Sequence, residues 1–293
     1  MKNSIIPSHG LNRGHVEFLQ INEIDPQGHD FGAFNPGLRT KVLSGHPAYG
    51  STLLVQAAPN WCFPYEFLFS SEIEILVLSG ELEINGKLLS TGFYAFIEPR
   101  TKIKSISSPK GAKILWMANG SADWIIDDIS EAKDKLELTI VDTNEILWHE
   151  SPPYKGRDVN EVVPGLFVKL IRQDPITSAY TLMTRHEPGW IDPRLEAHDT
   201  WEELLLIQGE YLMGTTGQVC GGSYIFRPST RPHGPQATIS GALWFCRGEK
   251  EIDFQYHDEG WVDEHVKRYL KCDDEPQMPS YMPWGNWWDG GIK

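Results

Sequence analysis

Apolar and polar positions along this chain alternate in short runs and do not recur at helical spacing. From Leu38 the runs read LRTKVL, STLLVQAAP, FLF, IEILVLSGELEING, FYAFIEP, KIKSIS and AKILWMA. Each is brief, rich in Ile, Val, Leu and aromatic residues, and bounded by Gly, Pro, Asn or Ser, which predicts the strands of an all-β sandwich or barrel. A charged stretch from Asp123 to Lys135 interrupts them and reads as a short helix or a linker. Strand grammar then resumes with LELTIVD, LFVKLIRQ, AYTLMTRHE, EELLLIQGEYLM, GSYIFRP and ALWFCR. The segment up to about Gly32 has no sustained period and reads as an arm. The tail from Glu251 carries a candidate short helix, WVDEHVKRYL, then Trp284, Trp287 and Trp288, expected to pack on the body of the protein.

The second set of runs repeats the first. A constant offset of 129 positions carries Trp61 onto Trp190, Gly80 onto Gly209, Glu81 onto Glu210, Gly92 onto Gly221, Pro99 onto Pro228 and Thr101 onto Thr230. Pro36-Gly37 falls on Pro164-Gly165, and Asn22-Glu23-Ile24 resembles Asn144-Glu145-Ile146. Matched turn residues of this kind point to a duplicated β domain, divided as 1–135 and 136–293.

Within the second copy, chemistry gathers between Glu196 and His233. Residues two apart share a face of a strand, so Glu196 and His198 can both point into a barrel, with Glu202 on the neighbouring strand and His233 opening a later one. Two imidazoles and a carboxylate, from His198, Glu202 and His233, leave coordination positions open, the facial arrangement of non-heme Fe(II) oxygenases. Glu196 is either a fourth, anionic ligand or a general acid or base just outside the shell. Glu203 alternates to the opposite face and reads as a solvated or salt-bridged carboxylate. Tyr211, Tyr224, Phe226 and Trp244 are candidate cavity residues, and Arg231 is a candidate for an acidic substrate group. Alternation lets only one of Arg185 and His186 face the pocket.

Composition narrows the function classes. The net charge of -14 lacks the basic excess needed for nucleic acid or an anionic membrane. With no signal-peptide pattern and no apolar run long enough to span a bilayer, the chain is expected to be cytoplasmic. Cys62, Cys220, Cys246 and Cys272 form no CxxC and read as reduced core thiols.

The spacing His198-x3-Glu202-x6-Gly209, followed by Gly222-x5-Pro228-x-Thr230-x2-His233, resembles the two motifs of the cupin superfamily. Both halves share the likeness, so the chain resembles a bicupin, and EELLLIQGEY with GSYIFRPSTRPHGP resembles the ChrR-like cupins, which include acetylacetone-cleaving dioxygenases. Two departures stand out: Glu196 replaces the first His of His-x-His, and Thr230 replaces the Gly of Pro-x-Gly.

The resemblance implies two tandem cupin barrels of double-stranded β-helix, or jelly-roll, type. It also implies a divalent metal on Glu196, His198, Glu202 and His233, with Fe2+ preferred over Mn2+ or Zn2+. The expected activity is an Fe(II) dioxygenase cleaving or oxidising a small carbonyl or enol substrate. One alternative is a non-redox metal-dependent isomerase, hydrolase or decarboxylase in which Glu196 moves the proton. Another is a non-catalytic Zn2+ sensor or ligand-binding module. A homodimer is expected, with no nucleic-acid or membrane partner. In the first copy the ligand positions become Phe67, Phe69, Ile73 and Lys104, so that barrel is expected to have lost its site.

Overall fold

A computed structural model describes residues 13–24, 37–46, 49–121, 124–126, 129–132, 138–151, 165–192, 194–214 and 217–257. The candidate helix over 261–270, the tail tryptophans and Cys272 lie outside the described residues. The chain divides into two units, the first containing Ile21–Glu145 and the second containing His15–Gln20 with Ile146–Met282. Among the described residues no helix is long and apolar enough to cross a membrane.

In the first unit the main sheet runs, in spatial order, Leu138–Asp142, Phe93–Ile97, Ile73–Ile84, Ile106–Ala118, Gly50–Phe63 and Leu38–His46, all antiparallel. Inward positions converge on a dry core. Phe67, Phe69 and Ile73 are completely buried, and Trp124 stacks on Phe67 at 4.5 Å while Trp116 meets Phe69 edge-on at 5.3 Å. Each such ring pair adds about 0.5–1.5 kcal/mol beyond the burial itself. Of the charged stretch from Asp123 to Lys135, only 124–126 and 129–132 lie among the described residues. There Trp124–Ile125 pairs with Leu68–Phe69, and Ile129–Glu131 forms a 3-10 turn.

The second unit orders its strands as Val16–Gln20, Ser223–Arg227, Glu202–Met213, Ala242–Gly248, Tyr180–His186, Leu166–Gln173 and His149–Glu150. Leu195–His198 pairs separately with Phe254–His257. The two edge strands depart from a division at residue 135. Leu138–Asp142, assigned above to the second half, pairs with Phe93–Ile97; Val16–Gln20, assigned to the first, pairs with Ser223–Arg227. The offset between these edge strands equals that between Asn22 and Asn144, so the faint upstream repeat marks equivalent sheet positions.

Matching bonds recur in each unit. Tyr94 Oη donates to Glu74 Oε2 at 2.6 Å, and Tyr224 Oη donates to Glu203 Oε1. Gly80 and Gly209, at φ +79° and +95°, sit where a Cβ would lie 2.1 and 2.0 Å from the carbonyl oxygens of Gly111 and Gly241. Only glycine fits that crossing. The offset of 129 does not persist, however. Gly92 N donates to Val77 O as Gly222 N donates to Leu206 O, so beyond the hairpin the offset is 130, and Gly92 corresponds to Gly222 rather than Gly221. The turn after Met213 has one residue more than the Asn85-Gly86 turn. By the same slip, the counterpart of His233 is Ile103, which is completely buried and bridges to Phe67 as His233 bridges to Glu196. Lys104 is exposed.

Candidate metal centre

Two strands and one isolated β-bridge of the second unit bring the site together. His198 closes the strand Leu195–His198, Glu202 opens Glu202–Met213, and His233 is held by reciprocal backbone bonds with Glu196, each 2.8 Å. One ligand atom from each of His198, Glu202 and His233 lies within 4.8 Å of the others. His198 Nε2 is 3.5 Å, and His233 Nε2 3.9 Å, from Glu202 Oε2.

The hydrogen bonds around these rings define what they offer. His198 Nδ1 lies 2.9 Å from Thr200 O, and His233 Nδ1 lies 3.0 Å from Arg231 O. A carbonyl only accepts, so each Nδ1 carries the proton, and in the neutral ring Nε2 presents a lone pair to the cluster. His198 Nε2 and Glu202 Oε2 are buried and make no hydrogen bond. Unsatisfied buried groups cost about 1–3 kcal/mol each. Two imidazole lone pairs and a carboxylate oxygen are satisfied together by a divalent cation, so the donor set fits one.

The charges of the cluster act on one another. Burial alone would raise the Glu202 pKa, but His198, His233 and Arg227 outweigh it and hold this carboxyl near 2, well below the usual range. Burial likewise opposes charge on His198, and Glu202 beside it overrides that and raises its pKa.

Glu196 stands beside the trio and not within it. Its Oε1 accepts from Gln236 Nε2 at 2.6 Å and lies 3.3 Å from His233 Nε2. Gln236 Oε1 in turn accepts from Tyr211 Oη at 2.8 Å, and His186 Nε2 is 3.3 Å from that hydroxyl. Burial pushes the Tyr211 hydroxyl up, with Glu196 adding to it, and pulls His186 down to about 3, so both stay neutral. The chain of bonds fixes the Glu196 carboxylate from behind.

Glu202 and His233 of the trio open onto a cavity of about 430 Å³. Leu166, Leu182, Leu204, Trp190 and Trp244 line it with Tyr211, His186, Glu196 and Arg227. Of the residues singled out from sequence, Tyr211 and Trp244 face this space. Tyr224 and Phe226 do not: they share the opposite face with Glu203, which is buried and paired to Arg247 at 2.8 Å. Arg231 is exposed, and what it contributes is its backbone carbonyl to His233. His186, not Arg185, faces the cavity; the Arg185 guanidinium lies over Phe167 at 4.7 Å. Of the described cysteines, Cys246 lines the cavity, while Cys62 is exposed and so is no core thiol.

Arg227 and Gln236 escaped the sequence reading. The signal for Arg227 was its parity: Ile225 and Arg227 lie on the face opposite Tyr224 and Phe226, and Arg227 is the cross-strand partner of Glu202. Gln236 carried none, because it follows an irregular stretch where alternation has no phase.

Among solved structures, one similar to this chain is a "putative dioxygenase" from Nostoc punctiforme, 20% identical, with a TM-score of 0.71 over 85% of this chain and 88% of that one. Oxalate decarboxylase from Lactobacillus farciminis is 9% identical, with a TM-score of 0.55 over 89% and 97%. The Bacillus subtilis enzyme of the same name is 12% identical, with a TM-score of 0.51 over 93% and 89%. At these identities the likeness concerns the fold, which is that of all-β cupin barrels. No curated protein matches the chain. One family model covers residues 24–255, most of the sequence, and the chain therefore belongs to the family described as Domain of unknown function (DUF4437).

Proposed function

We propose that the second unit is a metal-dependent enzyme acting on a small organic molecule, and that its reaction is an Fe(II)-dependent dioxygenation of a carbonyl or enol substrate. The observation that carries this reading is the convergence of two imidazole Nε2 atoms, that of His198 making no hydrogen bond, with an ionised carboxylate beside a mostly apolar cavity. His198, Glu202 and His233 would hold the ion. When bound, it would supply Lewis acidity and, as Fe2+, a route for electrons from an electron-rich enolate to O2.

The chain's own groups do the rest. Glu196, fixed by Gln236 and placed against the cluster, accepts the proton from the carbon next to the substrate carbonyl. Leu204, Leu182, Trp190 and Trp244 exclude water from that carbon and press the substrate toward the trio. Neutral His186 and Tyr211 keep the back wall uncharged.

Glu196 also supports a second reading. A proton carrier held outside the ligand set suits a non-redox isomerisation, hydrolysis or decarboxylation on the same ion. The same position speaks against a closed four-ligand Zn2+ sensor. Oxygen separates the two enzymes: the Fe2+-loaded protein is expected to consume O2 in proportion to substrate. Full turnover under strict anaerobiosis would sink the dioxygenase and leave the proton-transfer enzyme.

A further inference from the structure

Arg227 is among the largest fully buried side chains of the protein, with 1% exposure, and its guanidinium reaches the cavity beside Glu202. Its Nη2 donates to Glu17 Oε1 at 2.6 Å and its Nε to Glu17 Oε2 at 3.4 Å. The third nitrogen, Nη1, is buried, makes no hydrogen bond, and stands 3.6 Å from Glu202 Oε2, close enough for attraction only. An arginine has five N–H groups in a rigid fork and cannot shed its charge, so a buried, unused N–H edge is costly unless an acceptor arrives.

Two further facts bear on what that acceptor is. Among the described residues lining the cavity, Arg227 is the one with a permanent positive charge, set against Asp192, Glu196, Glu202 and Glu251. In the first unit, which has no His, Asp, Glu or Cys trio among its described residues, the counterpart of Arg227 is Ile97, completely buried. The arginine occurs where the trio occurs.

We infer that the substrate is a small organic carboxylate whose oxygen accepts from Arg227 Nη1, its apolar part lying against Leu204, Leu182 and Trp244. This rests on the metal reading above, because the ion held by the trio offsets the neighbouring carboxylates. A single free N–H edge amid acidic groups suits a monoanionic carboxylate over a phosphate, which brings more charge and more acceptors than Arg227 can serve.

The test is calorimetric titration of the redox-silent Mn2+-loaded protein with pyruvate and with its neutral methyl ester. The wild type is expected to bind pyruvate at least tenfold more tightly than the ester. Arg227→Gln removes that preference, Arg227→Lys keeps part of it, and Mn2+ affinity changes less than threefold in either. The wild-type comparison needs no variant to fold. Equal affinities for the two probes, or a preference that survives Arg227→Gln, would overturn the carboxylate site while Mn2+ binding stands. Loss of Mn2+ affinity in Arg227→Gln with the preference intact would reduce Arg227 to a positioning residue for Glu202. A wild type that binds no Mn2+ would remove the metal reading and this inference together.

Discussion

Removing one imidazole from the trio and neutralising the carboxylate beside it are expected to have different consequences. His233→Ala deletes one of three ligand atoms and leaves Glu202 with less positive charge nearby, so Mn2+ affinity should fall by about 100-fold or more. Glu196→Gln keeps the trio and should leave Mn2+ affinity within a few fold while lowering turnover by about 100-fold or more. Electron paramagnetic resonance of free Mn2+ reads the first quantity, and steady-state kinetics the second. A hundredfold loss of Mn2+ affinity in Glu196→Gln would make it a fourth ligand after all. The trio itself was readable because a motif spans it. The cavity wall was less so, because alternation says which residues share a face but not which face is inward. Tyr224 and Phe226 look like better pocket residues than Ile225 and Arg227, and only the pairing of Arg227 with Glu202 settles the choice.

Strand register explains the other displacements. In Glu202–Met213 a bulge between Leu206 and Gln208 changes the phase, so that Glu202 and Leu204 line the cavity from even positions while Tyr211 and Met213 line it from odd ones. Strict alternation predicts the opposite for one half of that strand. The edge strand Val16–Gln20 was not legible at all, since its short run lies in a segment without period. Its Glu17 carboxylate lends itself to a pH test. Burial works against its charge, but Arg227 and then His15 outweigh it and lower its pKa. A carboxyl lowered on folding stabilises fully above its unfolded value of about 4.3. That contribution is lost as pH falls through the folded value. Unfolding followed from pH 6 to pH 3 should therefore show a loss of stability that Glu17→Gln reduces, the remainder coming from other lowered carboxyls such as Glu202. The variant itself should cost about 1–3 kcal/mol at pH 6, since it weakens a hydrogen bond to a charged partner. An unchanged acid transition in the variant would mean that Glu17 does not hold this edge.

At the scale of the molecule, duplication was visible in matched glycines, and the inequality of the two copies in Phe67, Phe69 and Ile73, which fill the first core. The His/Asp/Glu/Cys trio found among the described residues is in the second unit alone, so Mn2+ titration should saturate at about one ion per chain. A stoichiometry of two would contradict the aromatic packing of the first unit. The edge strand has a further consequence, for synthesis. Glu17 leaves the ribosome 210 residues ahead of Arg227. At roughly 5–20 residues per second, that strand waits on the order of 10–40 s for the sheet it completes. During that interval its unpaired backbone is open to other edges, and the second barrel cannot close until Val16–Gln20 returns to it. Slowing translation would lengthen that exposure, and raising the yield of soluble protein would call for shielding Val16–Gln20 until Ser223–Arg227 is made.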